Sequence, residues 1–197
     1  GRGYQLDPAS PLARAEWIKF VAVFFEKDNE ADSIFNVIEH RYNEMKKKAS
    51  GTIHKPTIMA GSTFRGTWYM PAGRSFMSEL FKDAGASYFY ANDTTSGSLP
   101  LNVETALKNF SQSEVWLNCN YSNITDLLRE DSKHALFRPV KENNVYNFRK
   151  RMLASSANDF WESAVARPDL LLADVIAILH PELLPDYELF YAEKLGK

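Results

Sequence analysis

From Arg167 to Leu183 the chain reads RPDLLLADVIAILHPEL, a helix with both ends marked. Pro168 suits a first helical turn, where a missing N–H costs nothing, and Asp169 falls at the positive end of the helix dipole. Pro181 cannot continue a helix, so the element stops near His180, whose imidazole suits the negative end. Between these stops Leu171, Leu172, Val175 and Leu179 make a broad apolar face that needs a large partner surface. A polar-aromatic approach from Asn158 to Arg167, containing Phe160-Trp161-Glu162-Ser163, feeds into the helix.

The chain is long enough to supply that surface. Its 197 residues suffice for one sizeable domain or two small ones, and 45% apolar with 24% charged residues is ordinary globular composition. A net charge of −2 with acids and bases interspersed leaves no footprint for nucleic acid. Lys46-Lys47-Lys48 ends a predicted helix, where cations suit the dipole, and reads as a solvated helix end. No apolar run reaches membrane-spanning length, so this stretch is not expected to insert into a membrane. The single Cys119 excludes an internal disulfide and a cysteine metal cluster. It follows Val115-Trp116-Leu117-Asn118, the end of a buried strand, and reads as an inert thiol. The opening Gly1-Arg2-Gly3, without an initiator Met, reads as a start inside a longer protein.

Along the chain, Ser10 and Pro11 open a helix over 11–27 in which Trp17, Phe20, Val21, Phe24 and Phe25 repeat at helical spacing. A second helix spans about 30–48, with Ala31, Ile34, Phe35, Ile38, Tyr42 and Met45 on one stripe and Gly51 beyond its end. Such stripes are most simply core packing. After Pro56 short apolar runs alternate with helices: strands at 57–60, 87–90, 114–118 and 144–148, helices at 74–84, 103–110 and 124–129. That alternation predicts a parallel sheet flanked by helices, a Rossmann-like α/β lobe preceded by a long helix.

The phrase from Arg167 to Leu183, with the element order before it, resembles the periplasmic binding proteins for iron complexes and cobalamin. These are the TroA-like substrate-binding components of ABC importers. The resemblance implies that residues 1–51 are leading helices including a strut between lobes. It implies that 52–197 are the C-terminal α/β ligand-binding lobe, and that an N-terminal lobe lies upstream. It further implies a periplasmic location with a lipid anchor on a missing N-terminal segment. The partner is then an inner-membrane permease, and the transported ligand a siderophore, haem or corrinoid rather than a cofactor. Acidic residues dock such proteins on their permease; Asp126, Glu130 and Asp131 are the matching neighbourhood, although a solvated helix face is their ordinary fate.

In open parallel sheets ligands bind beyond the carboxyl ends of the strands. The segment Gly61 to Gly73 holds three glycines, three aromatics and Arg65 in thirteen residues, and reads as a long irregular loop. Trp68 and Tyr69 offer flat faces for stacking, and Arg65 a planar fork for carboxylate or catecholate. The loop from Ala91 to Leu101 is small and polar; Ser96, with Ser98, is its candidate contact. Arg149 and Arg151 follow the last strand and could neutralise an anion, and Trp161 is a second aromatic candidate. Each of these has a plain alternative as folded-back or solvated surface.

Metal ligation by the protein alone is not expected, because His40, His54, His134 and His180 are scattered without ligand spacing. Gly61-Ser62-Thr63-Phe64-Arg65-Gly66 lacks both the dinucleotide fingerprint and the Gly-Lys-Ser ending of a phosphate loop. Ser62 follows a strand without the Gly-x-Ser-x-Gly elbow. A binding module with no catalytic residues is therefore expected. An α/β enzyme acting on a small polar or nucleotide-like substrate is the alternative, and a structural interaction domain a third reading.

Overall fold

The computed structural model describes residues 9–196, so the Gly1–Gly3 opening lies outside the described residues. Two helices lead: α1 (Pro11–Val23) and α2 (Asp28–Ser50). Ser10 caps α1, its hydroxyl accepting from the Ala13 N–H at 3.3 Å. A parallel sheet follows, with β1 (Thr57–Ala60) at its centre, β4 (Ser87–Tyr88) on one side and β6 (Val115–Leu117) on the other. A parallel bridge from Trp116 to Val145 carries the layer toward β7 (Tyr146–Asn147). The helices between are α3 (Phe76–Asp83), α4 (Val103–Phe110), α5 (Ile124–Glu130) and the single turn α6 (Arg138–Lys141). Asn102 and Asn123 cap α4 and α5, each side-chain oxygen accepting an N–H three residues on. The chain closes with α7 (Phe160–Ser163), α8 (Pro168–Leu179) and β8 (Glu193–Lys194), which pairs antiparallel with β7.

The closing helix has the ends its sequence demands, and α8 packs along α2 with Leu171, Leu172, Val175 and Ile176 fully buried. Arg167 grips Asp169 through two contacts of 2.9 and 2.7 Å. Asp174, buried in the same helix, accepts the N–H groups of Phe190, Tyr191 and Ala192 at 2.6–2.7 Å and the Tyr187 hydroxyl at 2.9 Å. Its carboxylate is thus the clasp that holds the C-terminal tail. Burial raises its pKa, and the four donors oppose that rise. At the other side of α2, Tyr42 donates to Asp83 at 2.8 Å and Lys46 pairs with the same carboxylate at 2.8 Å, joining α2 to α3.

Two expectations need correction. Residues 61–73 are not an irregular loop: β2 (Thr63–Phe64) and β3 (Thr67–Pro71) form a hairpin, and β3 pairs with β5 (Ser98–Leu101) in a second, antiparallel sheet. Arg65 and Gly66, both at positive φ, make its two-residue turn, a geometry whose twist matches that of the flanking strands. The aromatic stripe of α1 is likewise not core. Pro11, Leu12, Ala13, Ala15 and Ala22 are buried there, while Trp17, Phe20, Val21, Phe24 and Phe25 are exposed. Trp17, Phe20 and Phe24 form an edge-to-face ladder with centroids 5.5 Å apart.

Candidate functional site

A cleft of about 570 Å³ opens where β1 and β6 end. These neighbouring strands are the first and third of the parallel sheet, so connections leave in opposite directions and a crevice forms between them. Both strands leave the sheet through residues at positive φ, Gly61 after β1 and Asn118 after β6. Gly61 is required there, since a Cβ would stand 2.5 Å from the Tyr69 carbonyl oxygen.

Two buried indoles hold this floor. Trp68 Nε1 donates to the Ala60 carbonyl at 2.9 Å, and Trp116 Nε1 to the Gly61 carbonyl at 2.8 Å. The rings lie 5.0 Å apart and pack against His134 and Phe137. The Asn120 N–H donates to the Ser62 hydroxyl at 2.6 Å and draws the β6 loop to the β1 loop. Beneath this region burial pushes the Cys119 thiol up to about 12, so it stays protonated and unreactive at neutral pH.

The walls are rings and uncharged polar groups. Phe64 and Tyr69 project from the hairpin, Phe76 and Met77 from the start of α3, and Phe160 and Trp161 from α7. Ser62, Thr63, Ser75, Ser98, Asn118 and Asn120 supply hydroxyl and amide groups. Arg14 of α1 joins the lining, its guanidinium 5.1 Å from the centre of the Phe76 ring. It is the one charged side chain among the described lining residues.

The site candidates separate sharply. Tyr69 and Trp161 line the cleft, 48% and 65% exposed, as does Ser98. Trp68 does not: it is 0% exposed and cannot stack on a ligand, because strand alternation turns Trp68 and Met70 inward and Tyr69 outward. Arg65 sits at the exposed hairpin tip over Phe64, 5.2 Å from its ring centre, beside the cleft rather than in it. Ser96 is exposed and outside the lining. Arg149 is half-buried and outside the lining. Arg151 pairs with Asp159 at 2.7 Å and covers the Phe190 ring at 4.4 Å, so its charge is committed to α7 and the tail. Of the three acids, Asp126 is held by Arg129 and Asn123, both at 2.8 Å, and Asp131 accepts the Lys133 N–H at 2.8 Å. Glu130 is exposed at the end of α5.

Sequence reasoning misses Arg14, Phe64, Asn118 and Asn120. The two asparagines carried a readable signal, since they immediately follow a strand whose carboxyl end faces the crevice. Arg14 carried none, because its place depends on how α1 packs against α3.

Residues 3–152 match the family model described as periplasmic binding protein. The chain belongs to the periplasmic binding protein family. The match contains the cleft residues from Arg14 to Asn120 and stops before α7 and α8. An uncharacterized lipoprotein of Methanocaldococcus jannaschii is 25% identical over 176 residues, covering 87% of this chain and 40% of that protein. The chain thus spans less than half the length of this curated relative. Among solved structures, the TroA-like periplasmic binding protein FepB from Veillonella parvula superposes with a TM-score of 0.71 at 13% identity, covering 96% of this chain and 63% of that one. S. aureus IsdE complexed with heme gives a TM-score of 0.65 at 16% identity, covering 91% and 69%. These likenesses show the periplasmic binding protein fold, α/β with a parallel sheet flanked by helices. Among the described residues no helix is long and apolar enough to cross a membrane, and no group of three or more His, Cys, Asp or Glu could hold a metal ion.

Proposed function

We propose that this chain is the cargo-binding lobe, with its connecting helix, of an extracytoplasmic substrate-binding protein serving an ABC importer. The cargo is an iron chelate, haem or a corrinoid. The observation that carries the reading is the cleft lining: exposed rings of Phe64, Tyr69 and Trp161 around amides and hydroxyls, at the crevice between β1 and β6. Such a surface grips a bulky ligand by stacking and hydrogen bonding. The described lining contains no carboxylate, histidine or thiol to act as base or nucleophile, which favours a binder over the α/β enzyme.

The exposed face of α1 supports a second wall. Arg14, Trp17, Val21 and Phe24 recur at spacings that share one side of a helix, so the face entering the cleft at Arg14 continues as the ring ladder. A second lobe seated on that ladder overhangs the cleft, and α2 is then the strut between lobes. The greater length of the matched relatives leaves room for such a lobe. The lipoprotein relative supports a lipid-anchored position outside the cytoplasmic membrane. On this reading Glu130, with Asp126 and Asp131, faces a membrane permease, and Glu130→Lys lowers transport without altering cargo affinity.

Titration of tryptophan fluorescence with ferric siderophores, haem and cobalamin tests the reading. Saturable quenching that vanishes in Trp161→Phe, with the ligand recovered unchanged, is expected. Turnover of the ligand would replace the binder with the enzyme.

A further inference from the structure

We infer that this wall selects cargo by the absence of charge, and that the preferred ligand is an electroneutral complex rather than an anionic one. The inference rests on the cargo-capture reading above and narrows it. A tris-catecholate ferric complex carries three negative charges, and a cleft that shelters it must supply matching cations or charge-assisted donors. Arg14 is the single cation in the described lining, and its guanidinium lies over the Phe76 ring. Other cations of this lobe lie outside the lining: Arg65 at the hairpin tip, half-buried Arg149, and Arg151 bound to Asp159. Where α3 meets the cleft, Ser75 is its N-cap, and its hydroxyl takes up the Ser78 N–H at 3.2 Å. What remains is suited to apolar flanks and amide-like oxygens: the rings of Phe64, Tyr69 and Trp161, with Asn118 and Asn120 as donors and acceptors.

The chain is titrated with four probes: neutral ferric trihydroxamate, neutral cyanocobalamin, haemin with its two carboxylates, and trianionic ferric tricatecholate. One neutral probe is expected to bind roughly tenfold tighter than either anionic one. Its affinity should change less than about twofold between about 50 and 300 mM NaCl, since no long-range charge is being screened. Ser98→Arg, which adds a cation to the lining, should tighten the tricatecholate about fivefold relative to the neutral probe. An anionic probe that binds tightest, or a Ser98→Arg variant in which the tricatecholate gains nothing relative to the neutral probe, overturns the inference and leaves cargo capture standing. Binding of none of the four removes both.

Discussion

The closing helix and the cleft hairpin solve opposite problems with similar residues. Around α8 most apolar side chains are buried, and of its two buried carboxylates Asp169 is gripped by Arg167 while Asp174 has four donors for its two oxygens. The hairpin β2–β3 divides its aromatics instead: Trp68 is fully buried and fixes the end of β1, while its neighbours Phe64 and Tyr69 face the cleft. One region is all support. The other combines support and contact on consecutive residues, so changes there separate stability from binding.

Trp68→Ala is expected to have the largest effect. It removes a buried indole and the bond to the Ala60 carbonyl, at about 3–5 kcal/mol of stability, measured by urea denaturation. Asp174→Ala comes next: three tail N–H groups lose their acceptor, at a cost of about 3 kcal/mol. Hydrogen exchange should then rise first in residues 187–192, where the clasp is lost. Tyr69→Ala should cost less than about 0.5 kcal/mol of stability, as an exposed substitution does. Its cargo affinity, read by calorimetry, should fall about tenfold through loss of a stacking ring. The smallest change is a gain. Arg65 occupies the left-handed turn position that Asn favours, so Arg65→Asn should stabilise the hairpin by about 1 kcal/mol. A Tyr69→Ala variant as destabilised as Trp68→Ala would erase the distinction between support and contact.

Much of this architecture is written locally. Pro168 and Pro181 bound α8, Asn102 caps α4, and the buried runs at 57–60 and 115–117 fall in the parallel sheet. The hairpin was legible in principle. Thr63-Phe64-Arg65-Gly66-Thr67-Trp68 is two short strands around a Gly-containing pair, and period two assigns Trp68 and Tyr69 to opposite faces. Its three aromatics conceal this, because clustered rings look like a ligand surface whichever way they point. The α1 stripe shows a different limit. Helical periodicity defines a face without saying whether anything covers it, and here the alanines are buried while the rings are exposed. Arg14 and Arg151 likewise differ by tertiary placement alone, one meeting the cleft and the other an acid.

The most direct measurement is equilibrium binding of a ferric chelate or corrinoid to the chain and to its Tyr69→Ala/Trp161→Ala double variant, with mass spectrometry of the recovered ligand. The account predicts saturable one-to-one binding that the double variant loses while remaining folded, and a ligand recovered with its mass unchanged. Equal binding by the folded double variant, or a chemically altered ligand, would contradict it.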